Sequence, residues 1–273
     1  MDANPIRVPD FKRMKRRAEK ITMLTAYDAT MARLFDRAGL DALLVGDSLG
    51  MVVMGHETTL PVTMDAMIHH TQAVSRGAQR ALVIADMPFL TYQVTTNDAV
   101  RNAGRLLQEG GAAAVKLEGG RPVIDVVRRL VDVGIPVMGH LGVQPQSVHQ
   151  MGGYAKRGVR PEDGDAILAD AAALEQAGAF AIVLESIPAE LARTVTAHVG
   201  IPTIGIGAGP DCDGQVLVSY DMLGLFDAFT PPFVKQYARL GDEIVAATQA
   251  YIEDVHTGRY PLAPARPVGA PTT

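Results

Sequence analysis

Short apolar runs alternate with amphipathic stretches along most of this chain, and that alternation limits the fold more than any other feature. Ile21 to Thr25, Ala42 to Gly46, Ala81 to Ala85, Ala113 to Leu117, Ile135 to His140, Phe180 to Leu184 and Pro202 to Ile206 read as strands. Ala29 to Ala38, Met64 to Arg76, Asn97 to Gln108, Pro122 to Val133, Asp163 to Ala177 and Ala189 to Val199 read as the helices between them, with glycines such as Gly39, Gly77 and Gly134 as stops. An apolar run with almost no charge in its interior is what a strand buried on both faces of a parallel sheet looks like. Consecutive parallel strands need helical crossovers, and eight such units close a ring. For the eighth strand there are two candidates, Gln215 to Ser219 and Asp221 to Phe226. The expected fold is therefore α/β, a single-domain (β/α)8 TIM barrel. A doubly wound open sheet would want a glycine fingerprint after its first strand, where Thr25-Ala26-Tyr27-Asp28 stands instead.

Two terminal segments flank this repeat. Asp10 is placed to cap a short N-terminal helix carrying the basic cluster Lys12 to Arg17, which reads as a solvated face that closes the barrel bottom or meets another subunit. Phe233 to Val255 has helical periodicity, and from Tyr260 onward a proline-rich tail is expected to be loosely ordered. The expected division is a catalytic barrel domain with its N-terminal helix at 1–259 and a tail at 260–273.

Composition narrows the function class. With 48% hydrophobic and 20% charged residues among 273, the chain belongs with ordinary globular proteins. Its net charge of −5 favours neither a nucleic-acid partner nor an anionic membrane surface. Cys212 is the one cysteine, so neither an intramolecular disulfide nor a cysteine-held metal is available. The first residues lack the basic-then-apolar order of a signal peptide, and no apolar run reaches membrane-spanning length. A cytoplasmic location is expected.

Four of the runs stop at an acid: Asp47, Asp86, Glu118 and Glu185. In such a barrel the strand C-termini form the active-site face, so these acids, with Ser48, Lys116 and His140, would project into one cup. Carboxylates crowded together repel one another unless a cation sits among them, and an oxygen-rich set without cysteine suits Mg2+ or Mn2+. The alternative is that each acid only caps a helix or pairs with a lysine. Lys116 lies two residues before Glu118 and shares its face; it could form a Schiff base, or stay protonated and bind a substrate carboxylate. His140 could transfer a proton, contact substrate, or serve structure alone. Gly205-Ile206-Gly207-Ala208-Gly209 could cradle a phosphate or let the backbone pass close to a substrate. Two long connections, Ser48 to Thr63 and Gln144 to Arg160, are the expected functional loops, the second carrying Lys156, Arg157 and Arg160.

Val45-Gly46-Asp47-Ser48-Leu49-Gly50, Thr59-Leu60-Pro61-Val62-Thr63, Val115-Lys116-Leu117-Glu118-Gly119-Gly120, Gly139-His140-Leu141-Gly142, Pro145-Gln146-Ser147 and Gly152-Gly153-Tyr154 stand in the order of one known family. From about Ile21 to Tyr260 the chain closely resembles the ketopantoate hydroxymethyltransferases. The resemblance implies a (β/α)8 enzyme of pantothenate biosynthesis, moving a one-carbon unit from 5,10-methylenetetrahydrofolate to 3-methyl-2-oxobutanoate. It further implies Asp47, Asp86 and Glu118 as ligands of one Mg2+ per subunit, and Asp47, Ser48, Asp86 and Lys116 as substrate contacts. Glu185 is implied as the proton acceptor, and a homodecamer of two pentameric rings as the working form. Two rivals are a Mg2+-dependent carbon–carbon lyase or mutase of the phosphoenolpyruvate mutase type, and a non-catalytic barrel that binds a metabolite. The first of these would rely on a loop cysteine, and Cys212 follows the seventh strand instead.

Overall fold

Eight parallel strands pair in sequence order and the last pairs with the first, closing a barrel in the computed structural model, which describes residues 4–261. They are β1 (Ile21–Thr25), β2 (Ala42–Val45), β3 (Leu82–Asp86), β4 (Ala114–Glu118), β5 (Val137–Gly142), β6 (Ala181–Glu185), β7 (Thr203–Ile206) and β8 (Gly214–Leu217). Helix α1 (Val8–Arg16) precedes them. Between them run α2 (Ala29–Arg37), α3 (Leu49–Val52), α4 (Met64–Gly77), α5 (Thr96–Gln108), α6 (Ile124–Asp132), α7 (Val148–Met151), α8 (Pro161–Gln176) and α9 (Ala189–His198). After β8 come α10 (Ser219–Met222) and α11 (Leu240–His256). The described chain divides into two compact units, one ending at Ser219 and one beginning at Tyr220, and all eight strands belong to the first. The tail from residue 262 lies outside the described residues.

Period-two alternation sets what the barrel holds. Ile21 and Met23, Ala42 and Leu44, Leu82 and Ile84, Ala114, Met138, Ala181 and Val183, Ile204 and Val216 form one buried cluster. One step of two further along β3, β4, β5 and β6 come Asp86, Lys116 then Glu118, His140, and Glu185. Along these four strands the interior is thus apolar at the start and ionic at the end. Phe11 of α1 is fully buried in the same apolar cluster, where Ala42, Ala114 and Ala181 leave room, and its ring meets Phe180 edge-on at 5.6 Å. Burying a phenylalanine in this way contributes about 2–3 kcal/mol. So α1 does close the barrel bottom. Its Lys15 is not solvated: Nζ pairs with Asp213 at 2.9 Å and donates to the Thr196 and Ile201 carbonyls.

Several expectations need correction. Asp10 does cap α1, but from the third helical position rather than the N-cap, which is Arg7: its carboxylate accepts the Arg7 backbone N–H at 2.8 Å. Gln215 to Ser219 holds the eighth strand, displaced to Gly214–Leu217, while the rival stretch contains part of α10. A 3-10 turn (Arg121–Val123) precedes α6, which begins at Ile124 rather than Pro122. The last helix starts at Leu240 rather than Phe233, and the two long loops each contain a short helix, α3 and α7.

Candidate active site at the strand C-termini

Register brings the ionic residues together. Asp86 lies opposite Lys116, Glu118 opposite His140, and Gly142 opposite Glu185, so side chains from four adjacent strands share one inner face. Gly142 has φ of +98°, and a Cβ there would come within 2.1 Å of the Glu185 carbonyl oxygen, so only glycine lets β5 pass β6 at this point. Asp47 arrives just beyond β2. Its backbone N–H donates to Asp86 Oδ2 at 3.0 Å, and Gly46 keeps the bend open, since a Cβ there would stand 2.7 Å from Ser48 Oγ.

Lys116 is the hub. Its Nζ stands 2.6 Å from Asp86 Oδ1, a contact whose angles fall outside hydrogen-bond geometry, and 3.3 Å from His140 Nδ1. His140 Nδ1 is 3.5 Å from Glu118 Oε1, and its Nε2 is 3.2 Å from Glu185 Oε2. Among these groups Glu185 alone opens to solvent, with 21% of its side chain exposed against 3–5% for Asp86, Lys116, Glu118 and His140. Ser48 is set apart, sharing a 2.9 Å hydrogen bond with the Tyr27 hydroxyl.

Burial and charge compete here. Burial raises the Asp47 carboxyl well above the usual carboxylate range, and the Asp86 and Glu118 charges raise it further, against Lys116 and Gln146. Asp86 is also raised by burial, though Lys116 opposes this strongly. For Lys116, burial favours the neutral amine, but Asp86, Glu118 and Asp47 together outweigh it and keep the ammonium charged. His140 follows the same logic: burial and Lys116 push it down, while Glu118 and Glu185 hold it up to about 9. A charged Lys116 is the wrong form for a Schiff-base nucleophile and the right one for binding a carboxylate.

Whether these residues suit a divalent cation is a question of donors. Asp86 Oδ1 and Glu118 Oε1 are buried acceptors without a hydrogen-bond partner, and the set is all hard oxygen, which fits Mg2+. Among the described residues no three acid, histidine or cysteine side chains are gathered into a ready-made metal site. The acids already have polar neighbours: the Lys116 ammonium stands against Asp86, and the Gln146 amide donates to Asp47.

Two polar residues at this site escape a strand-based reading, because they come from the loops after β3 and β5. Tyr92 accepts the Glu118 backbone N–H at 3.1 Å, and Gln146 links Asp47 to Glu118. Tyr154, on the same loop as Gln146, is exposed, yet burial of its hydroxyl and then the Glu185 charge raise its phenol above the ordinary range. The available signal was Gln146 itself, a polar residue inside the Pro145-Gln146-Ser147 motif. Arg160 pairs with Asp163 at 3.0 Å on an exposed turn and Lys156 is exposed, as solvated loop charges are.

Fold and site together define a (β/α)8 barrel that carries a group of acids around a charged lysine at the C-terminal ends of its strands. The chain belongs to the ketopantoate hydroxymethyltransferase family, whose sequence model matches residues 5–263. A 3-methyl-2-oxobutanoate hydroxymethyltransferase of Moorella thermoacetica is 60% identical over 256 residues, covering 94% of this chain and 95% of that one. Its counterpart from Syntrophus aciditrophicus is 59% identical, with 91% of each chain covered. Among solved structures, 2,3-dimethylmalate lyase superposes with a TM-score of 0.61 at 19% identity, covering 95% of this chain and 90% of that chain. Phosphonopyruvate hydrolase, solved with oxalate and Mg2+, does so with a TM-score of 0.63 at 11% identity, covering 93% and 88%. At such identities these structures speak for the fold alone. No described helix is long and apolar enough to cross a membrane.

Proposed function

We propose that this chain transfers a hydroxymethyl group from 5,10-methylenetetrahydrofolate to 3-methyl-2-oxobutanoate, giving 2-dehydropantoate, with one Mg2+ per subunit held by Asp47, Asp86 and Glu118. Family membership and the relatives' names support the reaction. The observation that carries the chemistry is the charged, buried Lys116 among these three buried acids, its Nζ 2.6 Å from Asp86 Oδ1. When bound, Mg2+ would supply Lewis-acid stabilisation of negative charge on the ketone oxygen.

The side chains divide the remaining work. The reaction requires loss of the proton at C3 of the oxo acid, and Glu185 is the acid open enough to take it. His140, held charged between Glu118 and Glu185, orients that carboxylate through its Nε2. Lys116 offers a fixed positive charge to the substrate carboxylate and, from a buried position, acts with little screening by water. Ser48, anchored by Tyr27, supplies a hydroxyl beside Asp47. The same reading places the protein in the cytoplasm as a homodecamer.

The lyase or mutase alternative would rely on a reactive cysteine in a loop at the barrel mouth. Cys212 is buried beside Gly205, and burial pushes its thiol up, away from the reactive thiolate. A silent metabolite-binding barrel is disfavoured because the sequence lacks none of the acids proposed for the reaction, Asp47, Asp86, Glu118 and Glu185.

Turnover tests the proposal. Purified protein with Mg2+, 3-methyl-2-oxobutanoate and methylenetetrahydrofolate should form 2-dehydropantoate, detected by mass spectrometry, and EDTA should stop it. Absence of product would overturn the reaction, and undiminished turnover after thorough metal removal would overturn the cation.

A further inference from the structure

Gln146 comes from a 3-10 turn (Pro145–Ser147) after β5, and the reaction as described assigns it nothing. It is buried, and both polar atoms of its side chain are engaged. Nε2 donates to Asp47 Oδ2 at 2.8 Å and to the Met87 carbonyl at 2.9 Å. Oε1 accepts from the Tyr92 hydroxyl at 2.8 Å and from Gln93 Nε2 at 3.2 Å. The backbone N–H of Gln146 donates to Glu118 Oε2 at 3.1 Å. A primary amide has two donors on nitrogen and two lone pairs on oxygen, so this side chain is saturated. Its orientation is also fixed, because turning it over would set its oxygen against the Met87 carbonyl and the Asp47 carboxylate.

One residue thereby ties an oxygen on each of two acids whose strands are not neighbours. Asp47 follows β2 and Glu118 ends β4, with β3 between them. The other oxygen of Glu118, Oε1, is buried and faces His140 Nδ1 at 3.5 Å. We infer that Gln146 is a positioning residue of the cation site: by holding Asp47 Oδ2 and Glu118 Oε2, it presents the two carboxylates as a pair to a single divalent ion. This role rests on the cation reading proposed above. Tyr92 is its support, since the hydroxyl that seats the Gln146 carbonyl is itself fixed by the Glu118 backbone N–H.

Mn2+ binding to the full-length protein, followed by electron paramagnetic resonance with Mn2+ as the only added probe, tests this. Gln146→Met keeps the backbone donor to Glu118 and removes both amide donors; it should weaken Mn2+ binding about 10- to 100-fold, as loss of groups that orient metal ligands does. Turnover of this variant should return at saturating Mn2+, separating a positioning role from general damage. Tyr92→Phe should weaken binding less, and the double variant should be no weaker than Gln146→Met alone, because both act through one amide. If Gln146→Met does not fold, Tyr92→Phe decides. Mn2+ affinity within about twofold of wild type in the variants that fold, or a loss of turnover that saturating Mn2+ does not restore, would overturn the role. Wild-type protein that binds no Mn2+, or binds it undiminished after Asp47→Asn, would overturn the cation reading itself and this role with it.

Discussion

Lys116 is the residue on which the charge balance of the cup turns. It is buried against Asp86 and is kept charged by three acids, so it already supplies part of the positive charge that a divalent ion would add. Removing one member of a buried pair leaves its partner uncompensated and costs about 3 kcal/mol or more. Lys116→Met should therefore lower the thermal midpoint, and added Mg2+ should recover more stability in the variant than in wild type, because a cation replaces the missing charge. Thermal denaturation with and without Mg2+ measures both. An unchanged midpoint in the variant would show that Lys116 does not carry the neutralising charge.

Among the elements, β5 and β6 fix the base. Their register sets Gly142 against Glu185, and φ of +98° with a backbone oxygen 2.1 Å from any added Cβ leaves no room for a side chain. Gly142→Ala should cost about 3 kcal/mol of stability and reduce turnover further, since the strain falls on the Glu185 backbone. Urea denaturation beside an activity assay checks this, and an unaltered urea midpoint would contradict it. The strands also explain what could be read in advance. Leu82, Ile84 and Asp86 are successive inward positions, as are Ala114, Lys116 and Glu118, so an apolar run that ends in a charge announces both a strand and the rim it reaches. Gln146 and Tyr92 carry no such periodicity; loops bring them in, and the path of a loop follows from tertiary packing. The start of α11 is hard to read for a similar reason, because Phe233, Tyr237 and Leu240 are spaced as a helix would space them although residues 233–239 are not helical.

At the scale of the whole molecule, one chain leaves apolar surface without cover. Helix α11 has no buried residue, and Ile244, Val245, Tyr251 and Ile252 are all exposed. Exposed apolar residues along a helix suit an association surface, which the proposed homodecamer would need. Light scattering on the purified protein should give a mass near ten chains of 29.0 kDa, and a monomer would contradict it. The central claim is narrower: Glu185 removes the C3 proton of 3-methyl-2-oxobutanoate at a cation site built from Asp47, Asp86 and Glu118. Proton NMR in D2O with protein, Mg2+ and the oxo acid, but no folate, tests it most directly. Wild type should exchange the C3 proton for deuterium only while Mg2+ is present, and Glu185→Gln should bind the oxo acid yet exchange nothing. Exchange that persists in Glu185→Gln, or without a divalent cation, would contradict the account.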